Sequence, residues 1–177
     1  DSIGSAWHES LLRQWGELQG SGEDGFQIAV AMSHSEQARV RRAAVVYFGV
    51  SGDPRSKEHL LRLMHDKSAD VRRNAVAWYG SAIYPDGPTG SFGIARPASM
   101  VPEGVEAIIG ALDDDNKKVR RIAILALQAY AALGHPAIQS ALEKTLDDPV
   151  HIVRHLAARA LGMNCPSCGA APKKWDQ

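Results

Sequence analysis

An all-α fold is predicted here: a right-handed α-solenoid of about four helix hairpins behind an N-terminal capping helix. Three observations predict it. A short signature recurs four times, as Val40-Arg41-Arg42-Ala43-Ala44, Val71-Arg72-Arg73-Asn74-Ala75, Val119-Arg120-Arg121-Ile122-Ala123 and Val153-Arg154-His155-Leu156-Ala157. Successive copies are 31, 48 and 34 residues apart, and a period in the low thirties marks stacked units that bury their apolar faces only against neighbours. Each copy also opens a run of apolar residues at helical spacing, and each run has a second apolar stretch ahead of it.

The signature helices come first in the argument. Val71, Ala75, Trp78 and Tyr79 lie on one face of a 3.6-residue period, and Val40, Ala44, Tyr47 and Phe48 repeat the pattern, as do Val153, Ala157, Ala160 and Leu161. Gly49, Gly80 and Gly162 each fall nine residues past the signature Val, where a C-terminal helix stop is expected. The third copy has Gln128 there and reaches Gly134 instead, which predicts a helix longer by about one turn.

The preceding helices carry Leu60, Leu61, Leu63 and Met64, then Val105, Ile108, Ile109 and Leu112, then Ile138, Leu142 and Leu146. The first pair draws on Phe26, Ile28, Ala29, Val30 and Met32. Asp53-Pro54, Asp148-Pro149, His135-Pro136 and Val101-Pro102 supply the Pro that suits a first helical turn, the two Asp adding a capping side chain. Trp7, Leu11, Trp15 and Leu18 form one stripe on a helix near residues 5–19. That helix is assigned as the cap over the open end of the stack, with docking of a partner as its sharper alternative. The domain reading is therefore a capping helix over 1–22, a solenoid over 23–162 and a tail over 163–177.

Asp66, Asp114 and Asp148 each precede a signature Arg (Arg72, Arg120, Arg154) by six residues. A carboxylate in that turn can cap its helix and pair with an Arg of the same or the adjacent repeat, giving a charge ladder along the stack. Ser35 stands at the equivalent place in the first copy, so the ladder is expected to stop there. An Arg at the start of a buried helix needs a partner, and the ladder is accordingly read as structural.

With these residues in view, the chain resembles HEAT-repeat proteins, particularly the short-repeat kind also found in phycobilin lyases. The resemblance spans about residues 23–162 and rests on the Asp-x5-Arg spacing joined to Val-Arg-x-x-Ala. It implies a solenoid whose signature helices line the concave face, and a family made mostly of scaffolds and adaptors with chromophore lyases as a minority. A related solenoid occurs in alkylpurine DNA glycosylases, but no copied catalytic carboxylate motif is visible.

Composition narrows the function classes. Twenty Lys and Arg balance twenty Asp and Glu, so no global field favours nucleic acid or a membrane surface. No apolar run approaches the ~20 residues that cross a bilayer. Cytoplasm is the default compartment, with export or organellar import left open because the chain begins at Asp1.

Three features could carry function. Arg42, Arg73, Arg121 and His155 occupy equivalent positions beside the ladder Arg, and stacking would align them in a basic stripe able to grip phosphates or an acidic protein segment. The bland alternative is a solvated, locally paired row, given Glu36, Asp70 and Asp113 to Asp115 nearby. An insert over 81–101 breaks the period, is rich in Gly and Pro, and yet carries Tyr84, Phe92, Ile94 and Met100. Apolar residues there suggest docking onto this solenoid or onto a partner. Finally, Cys165-Pro-Ser-Cys168 looks like half of a zinc knuckle, which His151 and His155 could complete; a redox dithiol or an unliganded tail are the other readings. No Ser/His/Asp set stands at a recognisable spacing, and no catalytic residue is assigned. The reading that results is a non-catalytic scaffold or adaptor offering a concave helical surface to another protein in a multi-subunit assembly. Its alternatives are a HEAT-type chromophore or cofactor lyase and a zinc-bearing nucleic-acid-binding module. No cofactor is expected beyond zinc at the cysteine pair.

Overall fold

A computed structural model describes residues 23–82, 102–132 and 134–165. Among the described residues eight α-helices follow one another: α1 (Glu23–Met32), α2 (Ala38–Val50), α3 (Ser56–Leu63), α4 (Ala69–Ala82), α5 (Pro102–Gly110), α6 (Lys117–Ala132), α7 (Pro136–Lys144) and α8 (His151–Ala160). Single 3-10 turns, Ala111–Asp113 and Thr145–Asp147, extend α5 and α7. No strand occurs among the described residues. The helices pair as four hairpins, each signature helix (α2, α4, α6, α8) coming second, and the hairpins stack side by side as an α-solenoid. The stripe of Trp7, Leu11, Trp15 and Leu18, and Tyr84, Phe92, Ile94 and Met100 of the insert, lie outside the described residues, as does Cys168.

One apolar spine runs through all four hairpins. Val71, Val119 and Val153 are fully buried, as are the paired Ala75, Ala123 and Ala157. The first helices answer with Leu60, Leu63, Ile108, Ile138 and Leu142, also buried. Neither helix of a hairpin could hide this stripe alone, so stability comes from the stacking. Ile28 departs from expectation: it is 47% exposed, while Phe26 and Ala29 of the same helix are buried. It follows Phe26 by two positions, a rotation of about 200° that carries it to the opposite face. Phe26 meets Phe48 and His59 edge-on at centroid distances of 5.8 and 5.6 Å, and Arg55 lies 4.0 Å over its other face.

Successive signature helices pack directly on one another, whereas first helices pack mainly against signature helices. Two of the three aligned glycines contribute to that closeness rather than ending a helix. Gly49 and Gly80 sit inside α2 and α4. A Cβ on Gly49 would collide with the Trp78 ring, and one on Gly80 would come within 2.6 Å of the Ala126 Cβ. The expectation of helix stops at these two positions is therefore corrected: α2 ends at Val50, and Gly52 takes the left-handed turn at φ 67°. Gly162 does stop its helix. It has φ 69°, and the next N–H, of Met163, bonds back to the Ala158 carbonyl at 2.9 Å, a C-terminal lock that needs a residue without Cβ strain. The third signature helix runs to sixteen residues against thirteen for the first, with Gly134 beyond it at φ 78°.

The prolines divide. Pro136 and Pro102 open α7 and α5, but Pro54 and Pro149 lie in the turns before α3 and α8. There Asp53 and Asp148 accept the N–H of Arg55 and Val150, at 2.9 and 2.7 Å. Among the described residues no helix is long and apolar enough to cross a membrane.

Candidate functional site

Each signature helix starts with two basic residues side by side, and ~100° of rotation per residue sends them in different directions. The first reaches along the turn edge to the next repeat. Arg41 grips Asp66 through Nε and Nη2 at 2.6 and 2.8 Å. Arg72 grips Asp114 at 2.6 and 2.8 Å, and Arg120 grips Asp148 at 2.6 and 3.0 Å. The remaining Nη1 of each donates to backbone carbonyls of its own turn: Ser35 and Glu36 for Arg41, Asp66 and Lys67 for Arg72, Asp114 and Asp115 for Arg120. Arg154 repeats this with the Asp148 carbonyl at 2.6 Å.

Each carboxylate also accepts the N–H two residues on, from Ser68, Asn116 or Val150. Every rung therefore closes a turn, starts a helix and joins two repeats at once. The geometry separates the two pairings that the spacing left open. The side chain of Asp66, Asp114 or Asp148 serves the Arg of the preceding repeat, and only its backbone serves the Arg six residues later. Burial alone would raise the carboxyl pKa of Asp66. The Arg41 hydrogen bonds, the Ser68 N–H and the Arg41 charge outweigh that and hold it below its usual range. Asp114 is depressed in the same way by Arg72 and the Asn116 N–H, against burial.

The expectation that the ladder stops at the first copy is corrected. Ser35 Oγ keeps the turn by accepting the Gln37 N–H at 3.2 Å, and Arg41 is itself the end rung because its partner lies in the following repeat. The signal was available, since Arg41 occupies the same signature position as Arg72 and Arg120.

The second basic residue points out of the signature layer. Arg42 is exposed, and Arg73, Arg121 and His155 are half-buried. Arg73 stands 3.7 Å from Asp70, an exposed pair of small energetic weight. Arg121 Nε is buried without a hydrogen-bond partner. The His155 ring lies 6.4 Å from that of His151, one turn earlier. One turn further along each helix the same face carries half-buried Val46 and Ala77, then Leu125, 47% exposed, and exposed Arg159. A mixed basic and apolar strip thus crosses four helices.

Two other features adjoin it. A cleft of about 320 Å³ opens at the turn edge between the second and third repeats, with Met64, His65, Asp113 and Asp115 around the ladder residues Asp66, Arg72 and Asp114. Its floor is already committed to the ladder. At the far end, Cys165 is disulfide-bonded. An oxidised sulfur is not the thiolate that zinc binds, so a zinc site with His151 and His155 requires reduction first. Among the described residues no three His, Cys, Asp or Glu side chains gather into a metal-holding group.

Comparison with known proteins joins this geometry. A family model described as HEAT repeats matches residues 94–164, the span of the third and fourth hairpins. Those residues carry HEAT repeats. Among solved structures, the crystal structure of an engineered protein superposes with a TM-score of 0.55 at 21% identity, over 78% of this chain. The chain spans 62% of that protein's length, and at this identity the likeness concerns the fold. No curated protein matches.

Two parts of the surface escaped sequence reasoning. Leu125 follows the signature Val119 by six positions, outside the apolar stripe, and only the helix rotation shows that it faces outward. The close contacts at Gly49 and Gly80 depend on which helix lies across them, which spacing along one chain does not reveal.

Proposed function

We propose that the protein is a non-catalytic interaction scaffold whose signature-helix face receives another protein within a larger assembly. Arg42, Arg73, Arg121 and His155 form the contact row, and Leu125 gives it an apolar centre. Tyr84, Phe92 and Ile94 of the insert belong to the same proposal. The observation that carries this reading is the division of labour between neighbouring basic residues. Arg41, Arg72 and Arg120 are consumed by inter-repeat bonds that stiffen the stack, while Arg42, Arg73 and Arg121, the next residues in those copies, take no part in these bonds. A rigid layer carrying an aligned row of this kind suits recognition of an extended surface.

The test is affinity purification with mass spectrometry, comparing the wild-type chain with Arg42→Gln/Arg73→Gln/Arg121→Gln. Loss of a specific protein from the variant, with an unchanged melting temperature, is the expected outcome. Equal recovery of every co-purifying protein removes the row from the account.

A further inference from the structure

A net charge of zero conceals a separation by layer. The signature helices carry three Arg or Lys on α2, two on α4, four on α6 and two on α8, against one carboxylate, Asp70. The first helices reverse the balance, with six carboxylates against three basic residues. The turns from each first helix to its signature helix add Glu36, Asp113, Asp115 and Asp147 beyond the ladder carboxylates, against one Lys or Arg, Lys67. The ladder neutralises Arg41, Arg72 and Arg120, yet the signature layer keeps a clear positive excess. Such a segregated field selects partners even when the whole molecule is neutral.

We infer that the signature face binds an extended acidic segment of a partner protein, with carboxylates at every third residue meeting Arg42, Arg73 and Arg121 in turn. The inference rests on the scaffold role proposed above and names the chemistry of its partner. Packed helices lie ~8–10 Å apart, and an extended segment in the polyproline II conformation advances ~3.1 Å per residue with three residues per turn, so every third side chain lies on one face. Three residues of peptide therefore match one helix of the stack, and about ten residues cross all four. A side chain facing the solenoid at each third position would find a guanidinium on the first three signature helices and the His155 ring on the fourth. The positions between them would meet Val46, Ala77 and Leu125, so small or apolar residues suit those places.

Arg121 supports the assignment independently. A buried donor without an acceptor is costly, and Arg121 Nε is one. Swinging the guanidinium outward to a carboxylate would relieve that cost on binding. Nucleic acid is the weaker fit. Binding single strands draws on exposed aromatic platforms, whereas Tyr47, Phe48 and Tyr79 are buried and Trp78 covers Gly49. Of these described aromatic residues only Trp78 keeps partial exposure.

Fluorescence anisotropy on the full chain tests this with three labelled probes. One is a ten-residue peptide with Glu at positions 1, 4, 7 and 10 and Leu and Ser between. The second has the same composition with its Glu residues in one block, and the third is a ten-nucleotide oligothymidine. The spaced peptide should bind at least fivefold tighter than the blocked isomer. Arg42→Glu/Arg73→Glu/Arg121→Glu should weaken it at least tenfold, and doubling the salt should weaken it further. Arg42→Glu alone, at an exposed position, should give a several-fold loss and guards against misfolding of the triple variant. Equal binding of the two peptides, retention of affinity by the variants, or tighter binding of the oligonucleotide each overturns the inference. Failure of all peptides, beside a partner still lost from the Gln variant in affinity purification, overturns the acidic segment and leaves the scaffold standing. Partner recovery insensitive to the Gln variant removes the scaffold reading itself.

Discussion

Arg41 and Arg42 are neighbours of the same type, and the same is true of Arg72 with Arg73 and Arg120 with Arg121. One of each pair is bonded into the next repeat and the other is not. The helix rotation of ~100° per residue is the whole difference. Turned one way, the guanidinium meets a carboxylate of the next repeat and two carbonyls of its own turn, which satisfies its fork in both directions. Turned the other way, it meets solvent, a distant Asp70 or an apolar neighbour. The comparison teaches that residue type within a repeat does not distinguish structural from functional charge. What distinguishes them is whether the following repeat supplies an acceptor.

Breaking the bonded row should have the largest effect. Arg41 and Asp66 keep only 6% and 7% of their side-chain surface exposed. Asp66→Ala leaves a buried guanidinium without its carboxylate, at a cost of about 3–5 kcal/mol, and also removes the acceptor for the Ser68 N–H. Urea denaturation should show this as a lower midpoint. Asp66→Asn keeps an acceptor for that N–H and should cost less. Arg41→Met/Asp66→Leu, which removes both charges, should recover much of the loss, because an apolar pair carries no desolvation penalty. If that double variant is as unstable as Asp66→Ala, the rung is more than an ion pair.

Close packing of the same layer sets the next scale. Gly49→Ala forces a methyl group into the Trp78 ring, and overpacking of this kind costs about 1–3 kcal/mol. Gly110→Ala is the matched control, since nothing lies within 4 Å of its Cβ position and its backbone is right-handed helical at φ −58°. There the loss of unfolded-state freedom should stabilise by about 0.4–1 kcal/mol. Thermal melts of the two single variants should therefore move in opposite directions.

Acid should loosen the ladder more gently. Asp66 and Asp114 have carboxyl pKa values depressed in the folded state. Their contribution is fully present above the ordinary aspartate value of ~3.9 and is lost as pH falls through the lower folded values. Because burial opposes the depression at both sites, the loss should be partial. Stability followed by denaturant midpoint should be flat from neutral pH to about pH 5 and decline below it. Asp66→Asn should flatten that decline, and a decline of equal depth in the variant would place the sensitive carboxylates elsewhere.

Much of this was legible in the sequence, for a physical reason. The signature is short because each repeat solves the same local problem: an apolar face at 3.6-residue spacing, a capping carboxylate in the turn and an Arg to bind its neighbour. Those requirements are written within about ten residues, so Val71, Asp114 and Arg120 announce their roles. Pairings between repeats are not written that way. The Asp66 spacing to Arg72 pointed to the correct residues but could not say that the side chain serves Arg41 instead. Gly49 looked like a stop because glycine ends many helices, and only the Trp78 ring across from it shows the other reason. Charge counted over the whole chain read as neutral, whereas charge counted by layer does not.

The smallest effect on stability is the one that sharpens the comparison most. Arg42→Gln/Arg73→Gln/Arg121→Gln removes three charges from the outward row and no rung of the ladder. Arg73 forfeits only its 3.7 Å contact with Asp70, whose side chain is 63% exposed, and exposed pairs of this geometry contribute little. Surface changes of this kind stay within about 0.5 kcal/mol each, and relief of like-charge repulsion in a basic layer should offset part of even that. The urea midpoint should thus remain close to that of the wild type, with an unchanged slope. A fall comparable to that of Asp66→Ala would mean that the outward row also holds the repeats together. In that case its conservation of charge from copy to copy would reflect the fold, and the surface would have to find its partner by other residues.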